Sequence, residues 1–114
     1  MQFYEYDIEC IEKARKLIDA DISSHTTIAV LAMKSGIGES KLKAGFKKFY
    51  GSSPYAYLRK QRMIKAAELI IETNKTMKQI AKATGFKHSN NFINAFRAHY
   101  DITPRQYRHL HSNG

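Results

Sequence analysis

The sequence predicts an all-α fold of seven helices, organised as two helix-turn-helix units joined by a long linker helix. Three observations carry that prediction. Apolar residues recur at i, i+3, i+4 and i+7 along most of the chain, and no alternating strand pattern of useful length occurs. Glycine, proline and hydroxyl residues punctuate this pattern where helices should start and stop. The chain is also written twice. Residues 27–37 (TIAVLAMKSGI) align with residues 76–86 (TMKQIAKATGF) at an offset of 49. Beyond them Leu42, Phe46, Tyr50, Pro54 and Tyr57 align with Phe92, Phe96, Tyr100, Pro104 and Tyr107 at an offset of 50, so the second copy holds one more residue after its glycine.

Taken in order, a first helix is expected over about Asp7 to Ala20, with Ile8, Ile11, Ala14 and Ile18 on one stripe. Thr27 is an N-cap candidate for the second helix, and Gly36 supplies the left-handed residue that ends it. The third helix, about Glu39 to Tyr50, should bury Leu42, Gly45, Phe46 and Phe49. Ser53 can cap the next helix, with Pro54 at its first position. That helix, about 54–73, lacks glycine and internal proline and carries Tyr57, Leu58, Met63, Ile64, Ala67, Ile70 and Ile71. Twenty residues at ~1.5 Å each span ~30 Å. Thr76 and Gln79 have capping-box spacing, and Gly85 closes the fifth helix. The sixth, about His88 to His99, should bury Phe92, Ala95, Phe96 and a packed His99; Thr103 and Pro104 open the seventh. The expected organisation is a single domain over 1–114, with helix-turn-helix unit one at about 27–53, the linker at 54–73 and unit two at 76–110.

With 114 residues and a 43% hydrophobic share, the chain can bury a core without disulfides or metals. Cys10 is its only cysteine, which excludes an internal disulfide and a thiolate metal site; a reducing, cytoplasmic compartment is the default. No apolar run reaches the ~18 residues of a membrane span. The acidic, amphipathic N-terminus does not read as a signal peptide.

Charge is the more telling property. Lys and Arg number 19 against 10 acids, and the pI is about 9.7. Residues 1–26 carry a net −3, residues 39–65 a net +7 and residues 76–114 a net +5. Two basic blocks and one acidic end suggest a face turned toward a polyanion, since a merely soluble surface intersperses its signs. The +7 block comprises Lys41, Lys43, Lys47, Lys48, Arg59, Lys60, Arg62 and Lys65 against Glu39.

A second helix after a glycine turn can enter the major groove of DNA, so its exposed face is what matters. On the third helix the residues opposite Phe46 are Ser40, Lys41, Lys43, Ala44, Lys47 and Lys48; on the sixth they include Ser89, Asn90, Asn91, Asn94 and Arg97. The first set suits phosphates and guanine edges, and the amides of the second suit adenine. Two such helices on one side of a duplex must lie ~34 Å apart, which the linker helix approximates. An isolated lysine run is usually only a solvated face; the repeat and the second basic block reverse those odds.

The five histidines show no HxxxH pattern, and no phosphate loop, catalytic triad or carboxylate pair is visible, so neither catalysis nor a cofactor or metal is expected. The reading from another class is a helical protein-interaction module for an acidic partner, with Phe3, Tyr4 and Tyr6 available for a companion domain. RNA is disfavoured: there is no aromatic platform on a sheet and no GXXG loop.

From about Ile8 to Arg108 the chain resembles the DNA-binding domain of AraC/XylS transcription regulators. The second unit carries the more specific signal, in Ile80, Ala81, Gly85, Phe86, Phe92, Phe96, Thr103, Pro104 and Tyr107 at the family's spacing. The resemblance implies seven helices in two units that contact successive major grooves. It maps base-contacting positions onto Ser40, Lys43 and Ala44, and onto Ser89, Asn90 and Asn94. Ala44 and Asn94 stand where arginine is frequent, and Lys87 where a capping serine is common; Lys87 is kept among the expected DNA contacts. The expected partner is double-stranded DNA, with RNA polymerase and a separate N-terminal effector or dimerisation domain as further partners left open. No membrane association is expected.

Overall fold

Hydroxyl caps and glycine stops set the helix boundaries. In the computed structural model, which describes residues 1–112, these are α1 (Glu5–Ala20), α2 (Ile28–Ser35), α3 (Glu39–Tyr50), α4 (Pro54–Glu72), α5 (Met77–Ala83), α6 (Ser89–Tyr100) and α7 (Pro104–Leu110). No strand occurs among the described residues. The Thr27 hydroxyl accepts a hydrogen bond from the Val30 amide at 3.2 Å, and that of Ser53 from the Ala56 amide at 3.1 Å. Full capping boxes open α5 (Thr76 with Gln79) and α7 (Thr103 with Gln106). Each such start is worth about 1 kcal/mol. Gly36 and Gly85 close α2 and α5 at φ of 80° and 88°, the left-handed region that other residues rarely adopt.

The chain forms two compact units, Met1–Arg59 and from Lys60 onward, which divide within α4. The first unit buries Ile11, Ala14, Ile18, Leu31, Ala32, Leu42 and Phe46, with Tyr57 and Leu58 of α4 packed against them. The second buries Met63, Ala66, Ala67, Ile70, Ile80, Ala81, Phe92, Ala95 and Phe96. One helix therefore gives its first turns to one core and its remainder to the other. The duplication reaches one helix further than residues 27–37 and 76–86 suggest. Cys10, Ile11, Ala14 and Ile18 of α1 match Arg62, Met63, Ala66 and Ile70 of α4 at an offset of 52, and each is buried.

Five residues expected on apolar faces lie outside the cores. Ile8 is 41% exposed, and the inward stripe of α1 runs through Asp7, Cys10, Ile11, Ala14 and Ile18. Asp7 tolerates that position because it is fully partnered, as described below. Phe49 (41% exposed) and His99 lie outside their cores; the half-buried rings that follow them, Tyr50 and Tyr100, pack inward instead. Ile64 and Ile71 are also exposed, on the outer side of α4.

At Gly45, α1 crosses α3 so closely that an added Cβ would overlap Cδ1 of Ile11 and sit 3.2 Å from the Phe3 ring. Its counterpart in the second unit, Ala95, carries that methyl and is buried. Gly45→Ala is therefore expected to destabilise the first unit by about 1–2 kcal/mol, overpacking outweighing the gain in helix propensity. Urea unfolding checks this, and adding Ile11→Val, which removes the offending methyl, should recover most of the loss.

Candidate nucleic-acid interface

Each of the two matched helices, α3 and α6, is pinned by a fully buried phenylalanine. Phe46 packs edge-on against Tyr50 and Tyr57, with ring centroids 4.9 and 5.6 Å away. Phe96 meets Tyr100 at 4.6 Å and Tyr107 at 5.4 Å. Because seven residues make about two helical turns, the residues facing away from the buried face of each helix form one outward stripe. On α3 it comprises Ser40, Lys43 and Lys47, all exposed, with half-buried Ala44 between them. On α6 it comprises Asn90, Asn94 and Arg97, all exposed. Ser40, Ala44 and Lys47 correspond to Asn90, Asn94 and Arg97 at one offset; the first and last of these positions are exposed in both units, with different chemistry, while Ala44 is half-buried where Asn94 is exposed.

The remaining candidates fall outside those stripes. Lys41 turns toward α1, where its Nζ lies 2.7 Å from a carboxylate oxygen of Asp7 and 5.3 Å from the centre of the Tyr4 ring. Lys48 sits over the rings of Phe3 and Phe49, at 5.5 and 5.8 Å. Ser89 is half-buried in the first turn of α6, while Asn91 and Lys87 are exposed beside it. Ile93, at the position of Lys43, is half-buried against the second core.

Two arginines counted into the basic blocks do not belong to an open basic face. Arg62 is 9% exposed, its guanidinium 5.9 Å from the Phe86 ring centre and so close to Gly85 that an added Cβ would lie 2.8 Å away. Arg108 is half-buried and donates to the Ile70 and Thr73 carbonyls at 3.1 and 3.3 Å, satisfying the C-terminal end of α4. Sequence position alone gives no signal for either role.

The starts of the two helices share a further property. A hydroxyl caps the first turn of α2, α4, α5 and α7, whereas in α1 the Asp7 carboxylate accepts only from the amide of Tyr4, the residue before the helix. Neither Gly38 before α3 nor His88 before α6 makes a side-chain cap bond. Their first-turn amides are thus left for water or an anion. Among the described residues no group of three or more His, Cys, Asp or Glu could hold a metal, and no helix is long and apolar enough to cross a membrane.

Residues 31–109 match the model of a helix-turn-helix domain family, and the relatives and solved structures that match are AraC-type regulators and their DNA-binding domains. The chain belongs to the AraC/XylS family of transcription regulators. It is 34% identical over 101 residues to the lactose operon transcription activator of Staphylococcus xylosus, an alignment covering 89% of this chain and 36% of that protein. The chain thus spans about a third of the length of that AraC/XylS relative. The C-terminal domain of the two-component response regulator yesN from Fusobacterium nucleatum superposes with a TM-score of 0.79 at 35% identity, covering 85% of this chain and 95% of that one. The DNA-binding domain of the global transcriptional factor AdpA, solved in complex with a target DNA, shares the fold with a TM-score of 0.84 at 19% identity, covering 90% of this chain and 92% of that one. The family consists of DNA-binding transcription regulators.

Asp7 ties α1 to the base of α3. Its carboxylate accepts from Lys41 Nζ and, at 2.9 Å, from the Tyr4 amide. The Lys41 bond first, and the Tyr4 amide second, hold the Asp7 carboxyl below its ordinary range. A depressed carboxyl stabilises the fold above its unfolded value, roughly pH 4, and that contribution fades as pH falls toward the folded value. Urea unfolding between pH 6 and pH 2.5 should therefore show a loss of stability at the acid end that Asp7→Asn flattens. Identical acid slopes in the two proteins would show that this pair contributes nothing.

Proposed function

We propose that the chain is a sequence-specific double-stranded DNA reader that docks α3 and α6 into adjacent major grooves. The observation that carries this is the matched pair of polar stripes, which occupy the same register on two helices whose opposite faces bury Leu42, Gly45 and Phe46, and Phe92, Ala95 and Phe96. Lys47 and Arg97 hold phosphates, joined by Lys41, Lys48 and Lys87 at the flanks, where Lys41 must share its charge with Asp7. Ser40, Lys43, Asn90 and Asn94 read base edges; Ala44 offers only a methyl, and Ser89 and Asn91 assist from the first turn of α6. The uncapped starts of α3 and α6 support this further, because a phosphate oxygen satisfies first-turn amides well. A domain of this fold solved on its target DNA adds support.

The linker α4 fits a spacing role. Its 19 residues span ~28 Å of uninterrupted helix, and its side chains are anchored in both cores. Because the stripes differ in chemistry, the half-sites should differ, and one chain should read an asymmetric site. On this reading the protein works in the cytoplasm on a promoter, with RNA polymerase and a separate effector or dimerisation domain as further partners left open.

Single substitutions separate readers from holders. Asn94→Ala is expected to cost about 1–3 kcal/mol on the preferred site and to relax specificity at one position. Lys47→Ala should weaken all duplexes alike and reduce the slope of log K against log salt by about one. A uniform loss from Asn94→Ala would remove Asn94 from the reading set. Absence of saturable duplex binding at low salt would favour the protein-interaction module instead.

A further inference from the structure

We infer that the first unit carries a separate pocket for a small carboxylate on a compact apolar body, and that its occupant competes with duplex for Lys43. The competition rests on the DNA-reading role proposed above; the pocket does not. A cavity of about 410 Å³, within the range of small-molecule sites, is walled by Ile18, Ile28, Leu31, Pro54 and Leu58. Such walls disfavour a hydrated inorganic ion and ask for an apolar body.

The polar groups of the lining select the charge. Thr26, Thr27 and Ser53 also line the cavity; the last two hydroxyls accept cap bonds and keep their protons to donate to acid and amide alike, so they do not select charge. Lys43 is the one charged side chain in the lining; it is exposed and has no ion pair or hydrogen bond among the described residues. Two helices, α2 and α4, begin at this cavity, and the partial positive charge of a helix start adds to that of the ammonium. Tyr55, 68% exposed, offers a ring for stacking against a planar ligand. The second unit lacks this cation: Ile93 stands at the position of Lys43 and packs on its core. The lysine thus faces two anionic claimants, a DNA strand on the outer stripe and a carboxylate in the cavity, and one ammonium cannot serve both.

The test uses the intact chain, methyl-labelled for NMR, titrated with 2-naphthoate and with its neutral isostere 2-naphthamide. The acid should give saturable shifts centred on the methyls of Ile18, Ile28, Leu31 and Leu58, with affinity at least tenfold above that of the amide. Lys43→Met, a change at an exposed site, should reduce the acid to the level of the amide and leave amide binding as it was. In a separate duplex titration, saturating 2-naphthoate should weaken binding by threefold or more, and Lys43→Met should abolish that sensitivity. Shifts that do not saturate, that centre elsewhere, or that are equal for acid and amide would overturn the pocket. Saturable binding without any effect on duplex affinity would overturn the competition. Because the NMR arm contains no DNA, failure of duplex binding itself would be seen independently.

Discussion

A polar stripe on a helix can be read by a partner only if the helix cannot roll about its own axis, and in this chain a cluster of three aromatic rings prevents that roll. Phe46 with Tyr50 and Tyr57, and Phe96 with Tyr100 and Tyr107, lock α3 to the start of α4 and α6 to α7. Three of these contacts are edge-to-face and that of Phe96 with Tyr100 is tilted; aromatic pairs of this kind contribute about 0.5–1.5 kcal/mol each beyond the area they bury. The tyrosines carry the restraint outward. The Tyr57 hydroxyl donates to Asp19 of α1 at 2.7 Å, and that of Tyr100 to the Met63 carbonyl of α4 at 3.2 Å. Burial pushes both phenols above their ordinary range, followed for Tyr57 by its bond to Asp19, so both remain protonated donors at neutral pH.

The same architecture accepts different chemistry at matched positions. Where the first unit sets the Cys10 thiol against the Gly36 carbonyl at 3.7 Å, the second lays the Arg62 guanidinium over Gly85 and Phe86. Where α3 carries Gly45, so that Ile11 can press against its backbone, α6 carries Ala95. Duplication fixed the frame, and each unit then found its own packing. The outward stripes diverged in the same way, from lysines on α3 to amides and an arginine on α6.

Much of this was legible from residue order, because helix punctuation is local chemistry. Thr27, Ser53, Thr76 and Thr103 cap where hydroxyl spacing predicts, and Gly36 and Gly85 stop helices where a left-handed residue is required. The duplication also fixed α3 and α6 as the helices to inspect. What the pattern misses is non-local. Asp7 displaces Ile8 from the core only because Lys41, 34 positions later, is folded against it. Arg62 and Arg108 look like surface cations until Gly85 and the carbonyls of Ile70 and Thr73 are brought beside them. Phe49 and His99 satisfy the apolar spacing, yet the rings that follow them, Tyr50 and Tyr100, take the inward place.

The central claim is that two unlike stripes, on two units that share one helix, read two unlike half-sites. In-vitro selection of duplexes from a random library, using the chain alone, tests it most directly. The expected product is an asymmetric site with two dissimilar blocks whose centres lie about 10 base pairs apart, one turn of B-form DNA. Enrichment of a palindrome, of a single block, or of no sequence at all would contradict it.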